Sequence, residues 1–256
     1  MITENQAFVH PEAQIGANVV IDPFAYVDKN VVIGDGTHIY AHACVLSGTR
    51  IGKNCNIYHG AVVGGIPQDL KFVGEDTTVE IGDNNMIREN VTLNRGTASK
   101  GKTVIGSNNL LMENSHIGHD CVIGNGCIIG NSSKIAGEVV IDDFAILSAC
   151  VLVHQFGHLG SYIMVQGGSK VTKDVPPFVI AGREPTRYCN LNLVGLRRRG
   201  FSNETISNIH NAYRLIYEGT VSSGIAKIKE TLTMTPEVEK IVNFIEKESE
   251  RGIIGK

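Results

Sequence analysis

The chain has 256 residues, 42% of them hydrophobic, 6% aromatic and none of them Trp, so small aliphatic side chains must fill any core. Its 23 Lys and Arg against 26 Asp and Glu give a formal net charge of −3, which argues against a general nucleic-acid binder or a polybasic membrane protein. Met1–Asn5 shows no basic-then-apolar leader, and no apolar run reaches the ~18 residues of a membrane helix. The expectation is a cytoplasmic chain without a membrane span. Its six Cys include no C-x-x-C pair, which disfavours a zinc ribbon or redox motif and predicts reduced thiols.

From Val9 onward an aliphatic residue recurs every six positions: Ile15, Ile21, Val27, Ile33, Ile39, Val45, Ile51, Ile57 and Val63. The series breaks at Asp69 and Glu75, resumes at Ile81, Ile87 and Leu93, breaks at Ser99, and then runs from Ile105 to Val171. A small or β-branched residue follows four positions later, as at Ala25, Ala43, Cys55, Ala61, Ser115, Cys121, Cys127 and Ser133, with Asn85 and Asn109 fitting less well. Six-residue spacing matches neither an amphipathic helix nor a simple alternating strand. It predicts short strands joined by corners, each pointing one large and one small side chain inward, so that Cys55, Cys121 and Cys127 are packing residues.

This periodicity resembles the hexapeptide-repeat family, which implies an all-β left-handed parallel β-helix over roughly residues 8–175. In that family about 18 residues make a coil, and coils stack at the ordinary interstrand spacing. Residues 18 apart then become vertical neighbours wherever no loop intervenes. The two breaks predict loops leaving the coil: a largely polar one, Gln68–Asp76, and a basic, flexible one, Ala98–Lys102. Binding residues concentrate on such loops. Pro176 and Pro177 are expected to end the solenoid. Helical spacing follows: Ile206, Ile209, Tyr213 and Ile216 with Ser202 as N-cap and Gly219 as stop, a helix over roughly 222–231, and a third from Thr235-Pro236-Glu237 to about Glu250.

Chemistry concentrates in His116-Ile117-Gly118-His119-Asp120-Cys121. With Ile117 and Cys121 inward, His119 and Asp120 are expected at the outer surface. Adding 18 and 36 to His119 gives Gly137 and Gln155, which stacks an imidazole, a Gly backbone and a carboxamide. Histidine suits removal of a hydroxyl proton, and a Gly N–H can be closely approached by an oxyanion. Between residues 177 and 227, seven basic residues (Arg183, Arg187, Arg197, Arg198, Arg199, Arg214, Lys227) face three acids (Glu184, Glu204, Glu218), a balance that suits a diphosphate or an acidic carrier.

Ile66-Pro67-Gln68-Asp69-Leu70-Lys71, the His116–Cys121 segment, Val153-His154-Gln155-Phe156, Asp174-Val175-Pro176-Pro177 and Gly195-Leu196-Arg197-Arg198-Arg199-Gly200-Phe201 together resemble the UDP-N-acetylglucosamine O-acyltransferase family of lipid A biosynthesis. The resemblance implies transfer of an (R)-3-hydroxyacyl chain from acyl carrier protein, whose phosphopantetheine carries it, to the 3-hydroxyl of UDP-N-acetylglucosamine, with no other cofactor. It implies a homotrimer with sites between adjacent solenoids. It implies His119 as general base, Asp120 as its paired acid and Gly137 as oxyanion donor. Gln68, Asp69, Lys71, His116, His154 and Gln155 would contact substrate, Asn192 and Arg199 the nucleotide end, and Arg198 the carrier or phosphates, while Gly167 would leave room for an acyl tail. Residues 1–185 would form the β-helix acyltransferase domain and 186–256 the helical one. The sequence departs from the family pattern at Glu138, where many members carry His, and at Pro185 and Val194.

The nearest enzymatic rival is an acetyl-CoA-dependent acetyltransferase, which would take only a short acyl group; the competing reading from a different chemistry is a zinc enzyme on the same solenoid, through His38/His42 and His154/His158. Spacing of i, i+4 puts two ligands on one face only in a helix, and these residues are expected on short strands.

Overall fold

A computed structural model describes residues 2–3 and 6–256 of the chain. Among them, two- to five-residue strands stack into three sheets of eleven, nine and eight strands. Successive strands go to successive sheets, so the three form the faces of a prism. Every strand pair is parallel apart from one hairpin at the end.

The hexapeptide dictates this shape. The aliphatic residue points inward and is fully enclosed at Ile21, Ile39, Ile57, Leu93, Ile117, Ile135 and Leu147. Three residues on, the backbone turns through the left-handed region: φ is 56° at Asn18, 53° at Asn54, 56° at Asn84 and 61° at Asn108. Asn tolerates that region better than most residues. Ile39 pairs with Ile57, 18 positions on. Across the two breaks the step lengthens, and Ile57 pairs with Ile87 and Leu93 with Ile117. Both interruptions are thus loops that keep the aliphatic residues in register, with one irregularity between Val63 and Gly65.

Asn85 and Asn109 point inward after all. Asn85 Nδ2 donates to the carbonyls of Gly82 and Gly106, its Oδ1 accepts from Asn109 N, and Asn109 Oδ1 accepts from Cys127 N. Buried carboxamides are tolerated when both ends are engaged. Cys55, Cys121 and Cys127 are buried thiols, and burial pushes Cys121 up to about 12 and Cys127 up to about 11.

The proline pair does not end the solenoid. Val175 bridges to Leu159, and Val179–Gly182 continues the face above Met164–Val165 before pairing antiparallel with Arg187–Leu191. The prolines fall between those pairings, where their missing N–H removes no ladder bond. Four helices follow among the described residues: α1 (Leu193–Arg198), α2 (Asn203–Glu218), α3 (Val221–Thr231) and α4 (Pro236–Glu246). Helix α1 has six residues and buries only Leu196, too little for a periodic signal. Ser202 and Thr235 cap α2 and α4 as expected. Helix α4 stops short of Glu250, because Lys247 turns extended and the tail runs back to the solenoid. There Asp174 accepts from Ser249 Oγ and His158 N, and its N–H donates to Gly252 O. Tyr213 Oη donates to Pro177 O at 2.6 Å, fastening α2 to the last coil. No helix among the described residues is long and apolar enough to cross a membrane.

Candidate active site

His119, Gly137 and Gln155 stack along one edge of the prism. That edge joins the face holding His116–Ile117, Lys134–Ile135 and Leu152–Val153 to the face holding Val122–Ile123, Val140–Ile141 and His158–Leu159. Glu138 N donates to His119 O at 2.9 Å and Phe156 N to Gly137 O at 3.3 Å, which fixes the vertical order. A Cβ added to Gly137 would sit 2.5 Å from His119 Nε2. Only Gly lets the ring lie this close. The Gly137 N–H donates to no group among the described residues, whereas Lys53, Asp83, Ser107 and Asn125, at the same hexapeptide position on another edge, each donate to a side chain of the next coil. An available N–H beside an imidazole nitrogen is the arrangement an acyl-transfer intermediate requires.

The expectation that His119 and Asp120 lie at the outer surface is overturned. His119 is 9% exposed and Asp120 is fully buried. The second loop covers them and is tied down rather than loose. Thr97 N donates to Asp120 Oδ1 and Oδ2 at 2.9 and 3.1 Å, Thr97 Oγ1 donates to Oδ2 at 2.6 Å, and Lys100 N reaches Oδ1 at 3.3 Å. Asp120 Oδ2 also meets His119 Nδ1 at 2.8 Å. A carboxylate only accepts, so Nδ1 carries the proton and Nε2 presents its lone pair outward.

The first loop supplies the opposite wall. Asp69 Oδ2 stands 3.9 Å from His119 Nε2, and Asp69 Oδ1 accepts from Lys71 N at 2.9 Å. Gln68 and Lys71 are exposed. Asp69, Lys71, Glu75, Ser99, Glu138 and Gln155 help line a cavity of about 250 Å³. Glu138 accepts from Ser99 Oγ at 3.2 Å, and Lys100 Nζ lies 3.8 Å from it. His116 is half-buried on the adjoining face, 2.7 Å from Thr92 Oγ1. Burial above all, with the charge of Lys134 beside it, holds its imidazole below the usual histidine range. His154 is exposed at the top of the edge, its Nδ1 3.2 Å from Gln155 O.

The four histidines of the zinc reading have separate partners. His38 Nε2 meets Asp22 at 2.8 Å, His42 stacks on Phe24, His154 Nδ1 faces Gln155 O, and His158 Nε2 meets Asp142 at 3.1 Å. No group of three or more His, Cys, Asp or Glu among the described residues is placed to hold a metal ion.

Residues 174–254 match the family model described as Udp N-acetylglucosamine O-acyltransferase, Domain 2, and residues 12–46, 30–65 and 102–137 match bacterial transferase hexapeptide repeats. The chain is 59% identical to a solved LpxA, a UDP-N-acetylglucosamine acyltransferase, from Bacteroides fragilis, covering 99% of this chain and 100% of that one with a TM-score of 0.96. The chain belongs to the UDP-N-acetylglucosamine O-acyltransferase family. The Acinetobacter baumannii LpxA matches at 40% identity over 98% of this chain and 99% of that one, TM-score 0.95. The Francisella novicida UDP-N-acetylglucosamine acyltransferase matches at 38% over 100% and 94%, TM-score 0.96.

For a chain of this acyltransferase family, the remaining expected site residues are notable for lying elsewhere. Asn192 is buried as the N-cap of α1; its Oδ1 accepts from Gly195 N and its Nδ2 donates to Tyr162 O. Arg199 stacks its guanidinium 4.1 Å from the Phe144 ring centroid, and Arg198 is exposed at the end of α1. Phe144 and Tyr162 belong to a second edge of the prism. Gly167 is exposed after Met164–Val165, on the third. A single chain therefore does not gather these four residues around His119. Sequence reasoning missed Thr97 and Arg251. Arg251 Nε donates to Gln155 O at 2.9 Å, and its guanidinium lies over Phe156. No local pattern marks either residue, because each acts on a partner more than 20 positions away.

Proposed function

We propose that this acyltransferase moves an (R)-3-hydroxyacyl chain from the phosphopantetheine thioester of acyl carrier protein to the 3-hydroxyl of UDP-N-acetylglucosamine, the first step of lipid A biosynthesis. The observation that carries the reading is the His119–Asp120 pair over the available N–H of Gly137. His119 Nε2 takes the proton of the sugar hydroxyl as its oxygen attacks the thioester carbonyl carbon. The negative charge passes to the carbonyl oxygen, which accepts from Gly137 N–H. As the intermediate collapses, the C–S bond breaks, the new C–O ester bond remains, and the imidazolium returns the proton to the departing thiolate. No other cofactor takes part.

Gln68, Asp69, Lys71, His116, His154 and Gln155 line or flank the approach to His119 and are assigned to substrate. Arg198, Arg199, Asn192 and Gly167 are assigned to a site on an adjacent copy, in a homotrimer working in the cytoplasm. Two facts support this assignment. The four residues lie on other edges of the prism, and the single-chain cavity of about 250 Å³ falls below the ~300–1,000 Å³ usual for drug-sized ligands.

A donor scan tests the reading. Wild type and His119→Ala would be incubated with UDP-N-acetylglucosamine and a ladder of 3-hydroxyacyl carrier proteins beside acetyl-CoA. Product from one or two long acyl lengths, abolished in the variant, is expected. Turnover of acetyl-CoA alone, or undiminished transfer by His119→Ala, would overturn it.

A further inference from the structure

We propose that Thr97 is a positioning residue that sets how His119 works as a base, acting through Asp120; the proposal rests on the reading of His119 as general base. Thr97 is 7% exposed and lies immediately before the second loop, away from the stacked edge in sequence. Its hydroxyl direction is fixed from both sides. Ser99 N can only donate, and it donates to Thr97 Oγ1 at 3.2 Å. The hydroxyl hydrogen is thereby turned to Asp120 Oδ2 at 2.6 Å. That oxygen is the one meeting His119 Nδ1 at 2.8 Å. One carboxylate oxygen is thus shared between the orienting hydroxyl and the base.

Beneath it, Asp120 N donates to Thr103 Oγ1 at 2.8 Å. Glu138 N instead donates to the backbone carbonyl of the coil below, His119 O. The interruption at residue 99 thus gives Asp120 a socket of its own. Outer-shell partners of this kind hold a base in one tautomer and orientation.

The other titratable and charged groups around the pair are Asp69 from the first loop, Lys100 with its Nζ 3.4 Å from Asp120 O, Glu138 beside Lys100, and His116 in the strand that leads into the pair. Thr97→Val leaves all four in place and keeps the β-branched shape and backbone N–H. It removes the hydroxyl that donates to Asp120 Oδ2 and accepts from Ser99 N. More negative charge then rests on Oδ2, the imidazolium is favoured, and the pH below which kcat falls moves upward.

The test measures pH–rate profiles for wild type, Thr97→Val and Thr97→Ser, with the His119 ring nitrogens followed by NMR titration without substrate. Thr97→Val is expected to lose about 10–100-fold in kcat with KM little changed, and to shift both the acid limb and the His119 titration upward. Thr97→Ser is expected to restore both. A Thr97→Val protein whose limb and titration match wild type, or a Ser variant no better than Val, would overturn the proposal. Thr97→Ala serves if valine does not fold. Wild type that transfers no acyl group from any carrier would defeat the acyltransferase reading instead, while the NMR titration would still report on Thr97.

Discussion

Asn108 and Asp120 occupy the same place in the hexapeptide and turn the chain in the same way, with φ of 61° and 59°. Asn108 is exposed and does no more than make a corner. Its N–H donates to Asp83 O of the coil below, as Asn84 N does to Lys53 O and Asn54 N to Asp35 O. Asp120 is fully buried, turns its N–H to a threonine hydroxyl, and receives the backbone of a loop on its carboxylate. The solenoid therefore supplies one corner many times. What makes a single edge chemical is an insertion that breaks the coil below it and folds over the exposed side. The difference lies in the loops rather than in the strands.

The largest expected effect lies at the covered edge. His119→Ala should lower acyl transfer by about 10²–10⁴-fold while far-ultraviolet circular dichroism stays unchanged; paired activity assays and spectra check it. Gly137→Ala comes next. Its Cβ would meet His119 Nε2 at 2.5 Å, so the ring must tilt, and kcat should fall about 10²-fold while far-ultraviolet circular dichroism stays unchanged.

In the regular part of the solenoid the signs reverse. Asn109→Ala leaves the Cys127 N–H and the Gly124 carbonyl without that carboxamide, and should cost about 1–3 kcal/mol of stability for each buried group left unpaired. Denaturant unfolding at fixed protein concentration measures this, and kcat per folded chain should not change. The smallest effect is chemical. Burial raises the Cys121 thiol to about 12 and the Cys127 thiol to about 11, so both stay protonated at pH 8 and should resist alkylation until the chain unfolds. Exposed Cys150 should react at once, as mass spectrometry of the labelled native protein would show.

The solenoid was legible because its period is written directly in Val9 to Val171, and a chain that alternates every six residues has few other ways to bury its aliphatic side chains. The vertical alignment of His119, Gly137 and Gln155 followed from the same arithmetic. The loops were legible only as gaps. That Thr97 closes over Asp120, or that Arg251 reaches Gln155, depends on contacts between distant segments, which periodicity does not encode. Asn85 and Asn109 looked like misfits because polarity was read without their carbonyl partners. Pro176 and Pro177 looked like a stop because a missing donor matters only where a ladder bond would stand. The short helix α1 was invisible for lack of length.

The central claim is that the His119 edge of one chain works with the Arg199 edge of another. Co-expressing His119→Ala with Arg199→Ala chains, each carrying a different tag, and assaying purified mixed assemblies tests it most directly. Each variant alone should be nearly inactive. Purified mixed trimers should restore about a third of wild-type transfer, because a ring of three interfaces that holds both kinds of chain has one in which both residues are intact. Mixed assemblies no more active than the two variants alone would contradict the account, since a site built within one chain never contains both residues.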